Sequence, residues 1–215
     1  MELAGRCLAA LGDSLAWGMD GRGGGGSQIA WPAQLGSIVH AERVKSSGVP
    51  GSTIAISDSS GESFVERAAR EDLSSDLILV LGGFNDFNFD VPLGASGTTD
   101  IHEFQGATRT LIACLRSRYP STPFVLITPP PSGGVCGWRG AHEKNALGAR
   151  EGDYAQAMLD IAADEGMPAI DLFASSPLDP FDRKVRERFM PDGLHYTEEG
   201  YRILASCIAE GLAAL

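Results

Sequence analysis

Apolar and polar positions along the chain switch repeatedly between two periods. Cys7–Leu11, Arg43–Ser46, Leu77–Leu81, Phe124–Thr128 and Ala169–Leu172 read as five strands. Leu77-Ile78-Leu79-Val80-Leu81 is apolar at every position, as expected of an inner strand covered on both faces of a parallel sheet. Between these segments the spacing becomes helical. Leu35, Ile38 and Val39 share one face, with Pro32 in the first turn. Ile101, Phe104, Leu111, Ile112 and Leu115 define a second helix, and Tyr154, Met158 and Ile161 a third. A short helix is expected around Ser63–Arg70. The last helix carries Tyr201, Leu204, Ala205, Ile208 and Leu212, with Thr197 as its N-cap and Glu198-Glu199 in its first turn. Such alternation predicts a three-layer α/β/α sandwich with right-handed crossovers. There is no internal repeat and no composition shift, so residues 1–215 are expected to form one domain.

Composition narrows the function classes. A formal charge of −11 argues against nucleic acid and anionic membrane surfaces as partners. No apolar run approaches spanning length, and the N-terminus shows no secretory h-region. A cytoplasmic protein is therefore expected, with secretion left open if a leader has been removed. Cys7, Cys114, Cys136 and Cys207 lack metal-ligand spacing. Cys7 in a strand pattern and Cys114 and Cys207 in helix patterns are expected to be buried thiols, whereas Cys136 lies in a glycine-rich loop and is expected to be exposed.

Chemistry-bearing residues gather after strand ends. The first strand drops into Gly12-Asp13-Ser14-Leu15. Gly51, in Val49-Pro50-Gly51-Ser52-Thr53, follows the second strand, and Asn85, in Gly82-Gly83-Phe84-Asn85-Asp86, follows the third. Pro191-Asp192-Gly193-Leu194-His195 follows the fifth. In an open parallel sheet all of these fall on the carboxyl edge, where ligands bind. A serine hydroxyl needs an adjacent base, an imidazole can serve as one, and a carboxylate can orient that imidazole.

Read in order, GDSL, VPGST, GGFND and DGLH resemble the four blocks of the SGNH (GDSL) hydrolases, with the four letters on Ser14, Gly51, Asn85 and His195. The resemblance implies a flavodoxin-like five-stranded parallel sheet and a serine esterase that needs no metal or cofactor. It implies Ser14, Asp192 and His195 as catalytic residues. It places the backbone N–H groups of Ser14 and Gly51 and the side-chain amide of Asn85 in the oxyanion hole. Phe84, Phe87, Phe89 and Trp138 are candidate substrate-binding residues, half of the phenylalanine cluster being assigned to the core. The implied substrate is a small ester with a short acyl or O-acetyl group, on carbohydrate or lipid. Lysophospholipid and thioester hydrolysis are the alternatives. The second block often has Asn where this chain has Ser46, so one structural hydrogen bond is expected to differ.

Each residue also has a plainer reading. Ser14 suits a turn cap, Asn85 a turn, and Asp192 a cap for the last turn; His195 could be a satisfied structural histidine. His40, His102 and His142 lie outside the blocks and read as surface residues. Asp13 and Asp86 read as structural hydrogen-bond partners, and Asp171, at the end of the fifth strand, is a rival to Asp192. Gly18–Ser27 lacks the Gly-Lys-Ser/Thr of a phosphate loop and is expected to be a mobile loop beside the site. Two further functions compete: an acyl-sugar binding module without turnover, and a flavin- or nucleotide-binding protein of the same sheet topology. The Gly-Asp-Ser turn lacks the glycine spacing that a dinucleotide requires.

Overall fold

The computed structural model describes residues 2–215. Its sheet contains β1 (Cys7–Gly12), β2 (Arg43–Gly48), β3 (Leu77–Leu81), β4 (Phe124–Ile127) and β5 (Ala169–Ile170). All pairings are parallel and the spatial order is β2-β1-β3-β4-β5. This is the flavodoxin-like order, with its topological switch between β1 and β3.

Because side chains alternate across a strand, β3 feeds two cores. Ile78 and Val80 pack with Leu11, Phe64, Phe104, Leu111, Tyr154 and Ile161 on one face. Leu77, Leu79 and Leu81 pack with Trp31, Leu35, Tyr201, Leu204 and Ile208 on the other. The first core is roofed by α3 (Phe64–Arg70), α5 (Phe104–Arg118) and α6 (Glu151–Asp164). The second is covered by α2 (Trp31–Ile38) and α9 (Glu198–Ala214). The cap read from sequence is in place, with Thr197 accepting from the Gly200 N–H; the structure adds a reciprocal capping box between Ser63 and Glu66 at the start of α3.

Several expectations needed correction. The fifth strand stops at Ile170 rather than Leu172, because the Asp171 carboxylate caps α7 (Leu172–Ser175) by accepting from the Ala174 N–H. Ile38 does not share the buried face of Leu35 but is exposed. Cys7, Cys114 and Cys207 are free and half-buried rather than buried, Cys114 and Cys207 packing against the margins of the two cores; Cys136 is exposed. Three further helices were not anticipated: α1 (Ser14–Trp17), α4 (Phe84–Asn88) and α8 (Arg183–Phe189). Among the described residues, no helix is long and apolar enough to cross a membrane.

Candidate active site

β1 ends at Gly12 in a tight turn. A Cβ there would lie 2.5 Å from the Ala16 Cβ and 3.2 Å from the Leu81 carbonyl oxygen, so the chain can bend into α1 only without one. Asp13 caps α1 by accepting from the Leu15 N–H at 3.0 Å. Ser14 is therefore the first residue of a helix that starts directly at a strand end, 6% exposed. Ser46 bonds the Ala16 carbonyl at 2.7 Å and ties this short helix to β2.

At the other end of the chain, α9 starts at Glu198 and its entry loop carries Asp192 and His195 back over β1. His195 Nε2 lies 2.9 Å from Ser14 Oγ, and His195 Nδ1 lies 2.6 Å from Asp192 Oδ2. Three residues drawn from opposite ends of the sequence thus form one hydrogen-bonded line. Asp192 accepts four donors. Its Oδ1 receives the N–H groups of Leu194 at 3.1 Å and His195 at 2.8 Å; its Oδ2 receives His195 Nδ1 and the Trp138 indole N–H at 3.1 Å. Burial pushes the Asp192 carboxyl up, but the bond and charge of His195, with the two backbone amides, outweigh it and hold the group below the usual carboxylate range. Asp192 therefore stays ionised next to the imidazole.

Val49-Pro50-Gly51-Ser52 forms a turn closed by the Ser52 N–H on the Val49 carbonyl at 3.1 Å. Pro50 in its second position and Gly51 at φ +77° in its third are the signature of a type II turn. The closing bond uses the Ser52 amide and leaves the Gly51 N–H outside it. Asn85 sits in the first turn of α4. Its Nδ2 donates to the Ser52 carbonyl at 3.0 Å and reaches Asp13 Oδ2 only at 3.4 Å. One amide hydrogen is thus anchored and the other is loosely held, free to be recruited by a stronger acceptor.

Two buried carboxyls brace this arrangement, as expected for Asp13 and Asp86. Asp86 Oδ2 and Oδ1 accept the N–H groups of Ile54 at 2.8 Å and Ala55 at 3.0 Å, pinning the segment that follows the turn. Burial pushes Asp86 up to about 7 against the pull of those amides, and pushes Asp13 up to about 6 against the Leu15 amide and the charges of His195 and Arg67.

The aromatic candidates divide. Phe87 is wholly buried against Tyr154 and belongs to the core, so it is withdrawn as a substrate contact. Phe84 is 3% exposed and packs edge-on against Trp138. Phe89 and Trp138 are half-buried. Trp138 also meets the His195 ring edge-on at 5.5 Å, so with its indole bond to Asp192 it supports the Asp–His pair. Asp171 is occupied as the α7 cap and is not in the Ser14 line. His40, His102 and His142 are exposed; His142 stacks on Phe181.

The glycine-rich loop Gly18–Ser27 does lie beside the site, but it is tied down rather than free. Asp20 accepts from Arg22 and Gly24, Gly26 bonds Gly18, and the Tyr201 hydroxyl donates to the Met19 carbonyl at 2.8 Å. A Cβ at Gly21 would lie 2.9 Å from Asp192 Oδ1, so the loop backs directly onto that carboxylate.

Sequence reasoning missed Arg67 and Glu151. Arg67 is wholly buried and bonded to the ends of β1 and β2. Glu151, also wholly buried, holds the loop after β4 through the Ser132 N–H at 3.0 Å and hydroxyl at 2.6 Å. The sequence signals for Arg67, its place three residues after Phe64 on a short helix and Glu71 at i+4, do not distinguish a buried arginine from a snorkelling or surface-paired one.

A model of the GDSL-like Lipase/Acylhydrolase family matches residues 10–203. The chain is similar to a GDSL esterase/lipase of Arabidopsis thaliana, 27% identical over 118 residues, which is 52% of this chain and 48% of that protein. It is similar to an isoamyl acetate-hydrolyzing esterase 1 homolog of Bos taurus, 32% identical over 114 residues, 49% of this chain and 43% of the relative. The match thus spans about half the length of these curated relatives. A solved crystal structure with 41% identity superposes with a TM-score of 0.96 over 100% of this chain and 99% of its own.

Proposed function

The chain belongs to the GDSL-like lipase/acylhydrolase family, whose members are ester hydrolases, and we propose that it is a serine esterase acting through a Ser14 acyl-enzyme. The observation that carries this reading is the continuous line from Ser14 Oγ through His195 to Asp192 at 2.9 and 2.6 Å.

In this reading His195 Nε2 takes the Ser14 proton as Oγ attacks the ester carbonyl. The imidazolium that forms is stabilised and oriented by Asp192, which remains ionised. The tetrahedral oxyanion is met by the N–H groups of Ser14 and Gly51 and by Asn85 Nδ2. As charge develops on oxygen, the Asn85 hydrogen that reaches Asp13 at 3.4 Å turns to the oxyanion, while the hydrogen on the Ser52 carbonyl keeps the side chain in place. His195 then protonates the leaving alcohol. A water that gives its proton to His195 attacks the acyl-enzyme, and collapse of the second tetrahedral adduct releases the acid and restores Ser14.

The substrate class we propose is small esters with short acyl or O-acetyl groups. With Phe87 in the core and Phe84 nearly so, only Phe89 and Trp138 of the four aromatic candidates keep partial exposure. A fluorophosphonate probe tests the assignment. One adduct on the Ser14 peptide is expected, with labelling and turnover of p-nitrophenyl acetate both lost in Ser14→Ala. Labelling elsewhere, or a fully active Ser14→Ala, would refute it.

A further inference from the structure

Arg67, on α3, is a full positive charge with no solvent exposure. A guanidinium has five N–H donors in a fixed fork, and here all five have acceptors. Nε donates to Glu71 Oε1 at 2.9 Å. Nη1 donates to the Gly12 carbonyl at 2.8 Å and to Ser52 Oγ at 3.2 Å. Nη2 donates to the Ser47 carbonyl and, at 3.1 Å, to Ser47 Oγ. Glu71 is also bonded by the Ser47 hydroxyl, which closes the network.

These acceptors are supports of the reacting groups. Gly12 is two residues before Ser14 and shares its turn. Ser52 follows Gly51 directly, and its carbonyl anchors Asn85 Nδ2. Ser47 is the last residue but one of β2, from which the Gly51 turn departs. One planar side chain therefore touches the backbone or side chain that holds each of the three oxyanion donors.

Stability alone does not account for such a residue. Charges taken out of water seldom stabilise more than well-packed apolar groups of the same volume. The sheet also joins these strands without it: Gly12 pairs with Gly48 in the ladder, and the Gly12 carbonyl already accepts from the Val49 N–H at 3.2 Å. What the ladder does not fix is the position of the Gly51-Ser52 turn relative to the end of β1, and Nη1 bridges these two points.

We propose that Arg67 is a positioning residue that sets the spacing of the Ser14, Gly51 and Asn85 oxyanion donors. The proposal rests on the esterase reading above. It is a rigid spacer rather than a catalytic group, because it touches their supports and not the substrate. Lysine cannot replace it: three donors on a flexible stem cannot meet five acceptors in a plane.

The test compares Arg67→Lys, Ser52→Ala, Asn85→Ala and, as an apolar core truncation that makes no hydrogen bond to this network, Leu111→Ala. Each is measured for kcat and KM on p-nitrophenyl acetate, for thermal stability, and for inhibition by a trifluoromethyl ketone, which adds to the serine and presents an oxyanion. For Arg67→Lys we expect kcat to fall by roughly 10- to 100-fold, the scale of a displacement of about 1 Å, with KM within about threefold. Ser52→Ala, which removes the bridge from Arg67 to the turn together with the Ser52 hydroxyl's bond to the Glu62 carbonyl, should lose about tenfold. Ketone affinity should weaken by the same factor as kcat/KM in both. Leu111→Ala should lose stability and keep its kcat. If Arg67→Lys and Ser52→Ala retain kcat while Asn85→Ala loses it, the positioning role fails and the oxyanion reading survives. If Asn85→Ala is also fully active, the oxyanion reading itself fails. Losses that appear only in KM, or that Leu111→Ala reproduces at equal stability, assign Arg67 a purely structural role and overturn the proposal.

Discussion

Asp192→Asn offers the sharpest test of how the site holds its proton, because all four neighbours of this carboxylate are donors. An asparagine must turn its NH₂ toward one side. Placed at the Oδ1 position, it opposes the buried N–H groups of Leu194 and His195, at 3.1 and 2.8 Å from the carboxylate oxygen. Placed at the Oδ2 position, it opposes only the Trp138 indole, on a half-buried side chain. Each buried donor left unsatisfied costs about 1–3 kcal/mol, so the second placement wins by roughly that amount, or about 5- to 150-fold in population. In that placement the amide donates to His195 Nδ1. The imidazole proton must then sit on Nε2, which donates to Ser14 Oγ instead of accepting its proton. The minor, correctly protonated form also lacks the charge-assisted bond to the imidazolium, a further ~1.5–3 kcal/mol. Together these predict a fall in kcat of about 10²- to 10⁴-fold, the upper end matching the known scale for this exchange in serine triads. Steady-state kinetics and the fluorophosphonate labelling rate should fall together. Adding Trp138→Phe to Asp192→Asn removes the remaining donor–donor contact, so the double variant should be more thermally stable than Asp192→Asn and no faster. A kcat within tenfold of the parent, or recovery of rate in the double variant, would refute the tautomer argument.

Three further outcomes are expected. Gly51→Ala should fold, since no atom lies within 4 Å of the added Cβ, but a φ of +77° strains an L-residue by about 1–2 kcal/mol, lowering Tm by roughly 2–8 °C as read by calorimetry. Burial pushes Glu151 up to about 8 from its ordinary 4.5, so between these values the unfolded chain has released a proton that the folded chain retains, and stability falls as pH rises through that window. Glu151→Gln, which copies the neutral form, should flatten that fall, and urea titrations should show its advantage over the parent larger at pH 8 than at pH 5, by on the order of a few kcal/mol; an advantage independent of pH would count against it. Finally, kcat/KM on p-nitrophenyl esters, measured below the micelle concentration, should peak from acetate to butyrate and fall by octanoate; a steady rise toward palmitate would overturn the short-acyl reading, because each buried CH₂ would then be contributing its ~0.8 kcal/mol in a trench that the buried Phe84 and Phe87 do not line.

How much of this was legible in the sequence depends on how local the cause is. β3 announces itself because five consecutive apolar residues need cover on both faces. The site residues were legible because each follows a strand and sits among glycine, proline or aspartate, which the strand-end turns require; the type II turn at Gly51 is set by Pro50 and Gly51 alone. Failures occurred where the cause is tertiary or the element too short. α1 and α4, of 4 and 5 residues, are below the length at which a 3.6-residue period can be seen. Phe84, Phe87 and Phe89 look equivalent in sequence, yet α4 sends Phe87 into the core and leaves Phe89 half-buried. Nothing local to Trp138, a candidate substrate contact, indicates that its indole also meets a carboxylate 54 residues away.

The buried charges are the extreme case, and they bear most directly on the chemistry. Asp13 is needed at its position as the cap of α1, which orients the Ser14 turn. That places a carboxylate 3.4 Å from the amide proposed to meet the oxyanion, where a negative charge competes with the developing one. Two features of the fold reduce the conflict. Burial raises Asp13 to about 6, which weakens its hold on a proton donor at lower pH, and Arg67 acts on the same carboxylate with opposite charge. Above pH 6 Asp13 is mostly ionised, and the Arg67 charge then offsets part of its field. The same guanidinium that spaces the donors therefore also balances the carboxylate that shapes their turn. Neither demand is visible locally, because Arg67 meets Gly12 across 55 residues and Ser47 across 20. The one charged partner of Arg67, Glu71 at i+4, has the spacing of an ordinary surface helix pair, and its other partners are carbonyls and serine hydroxyls, so nothing in the sequence marks this arginine as buried.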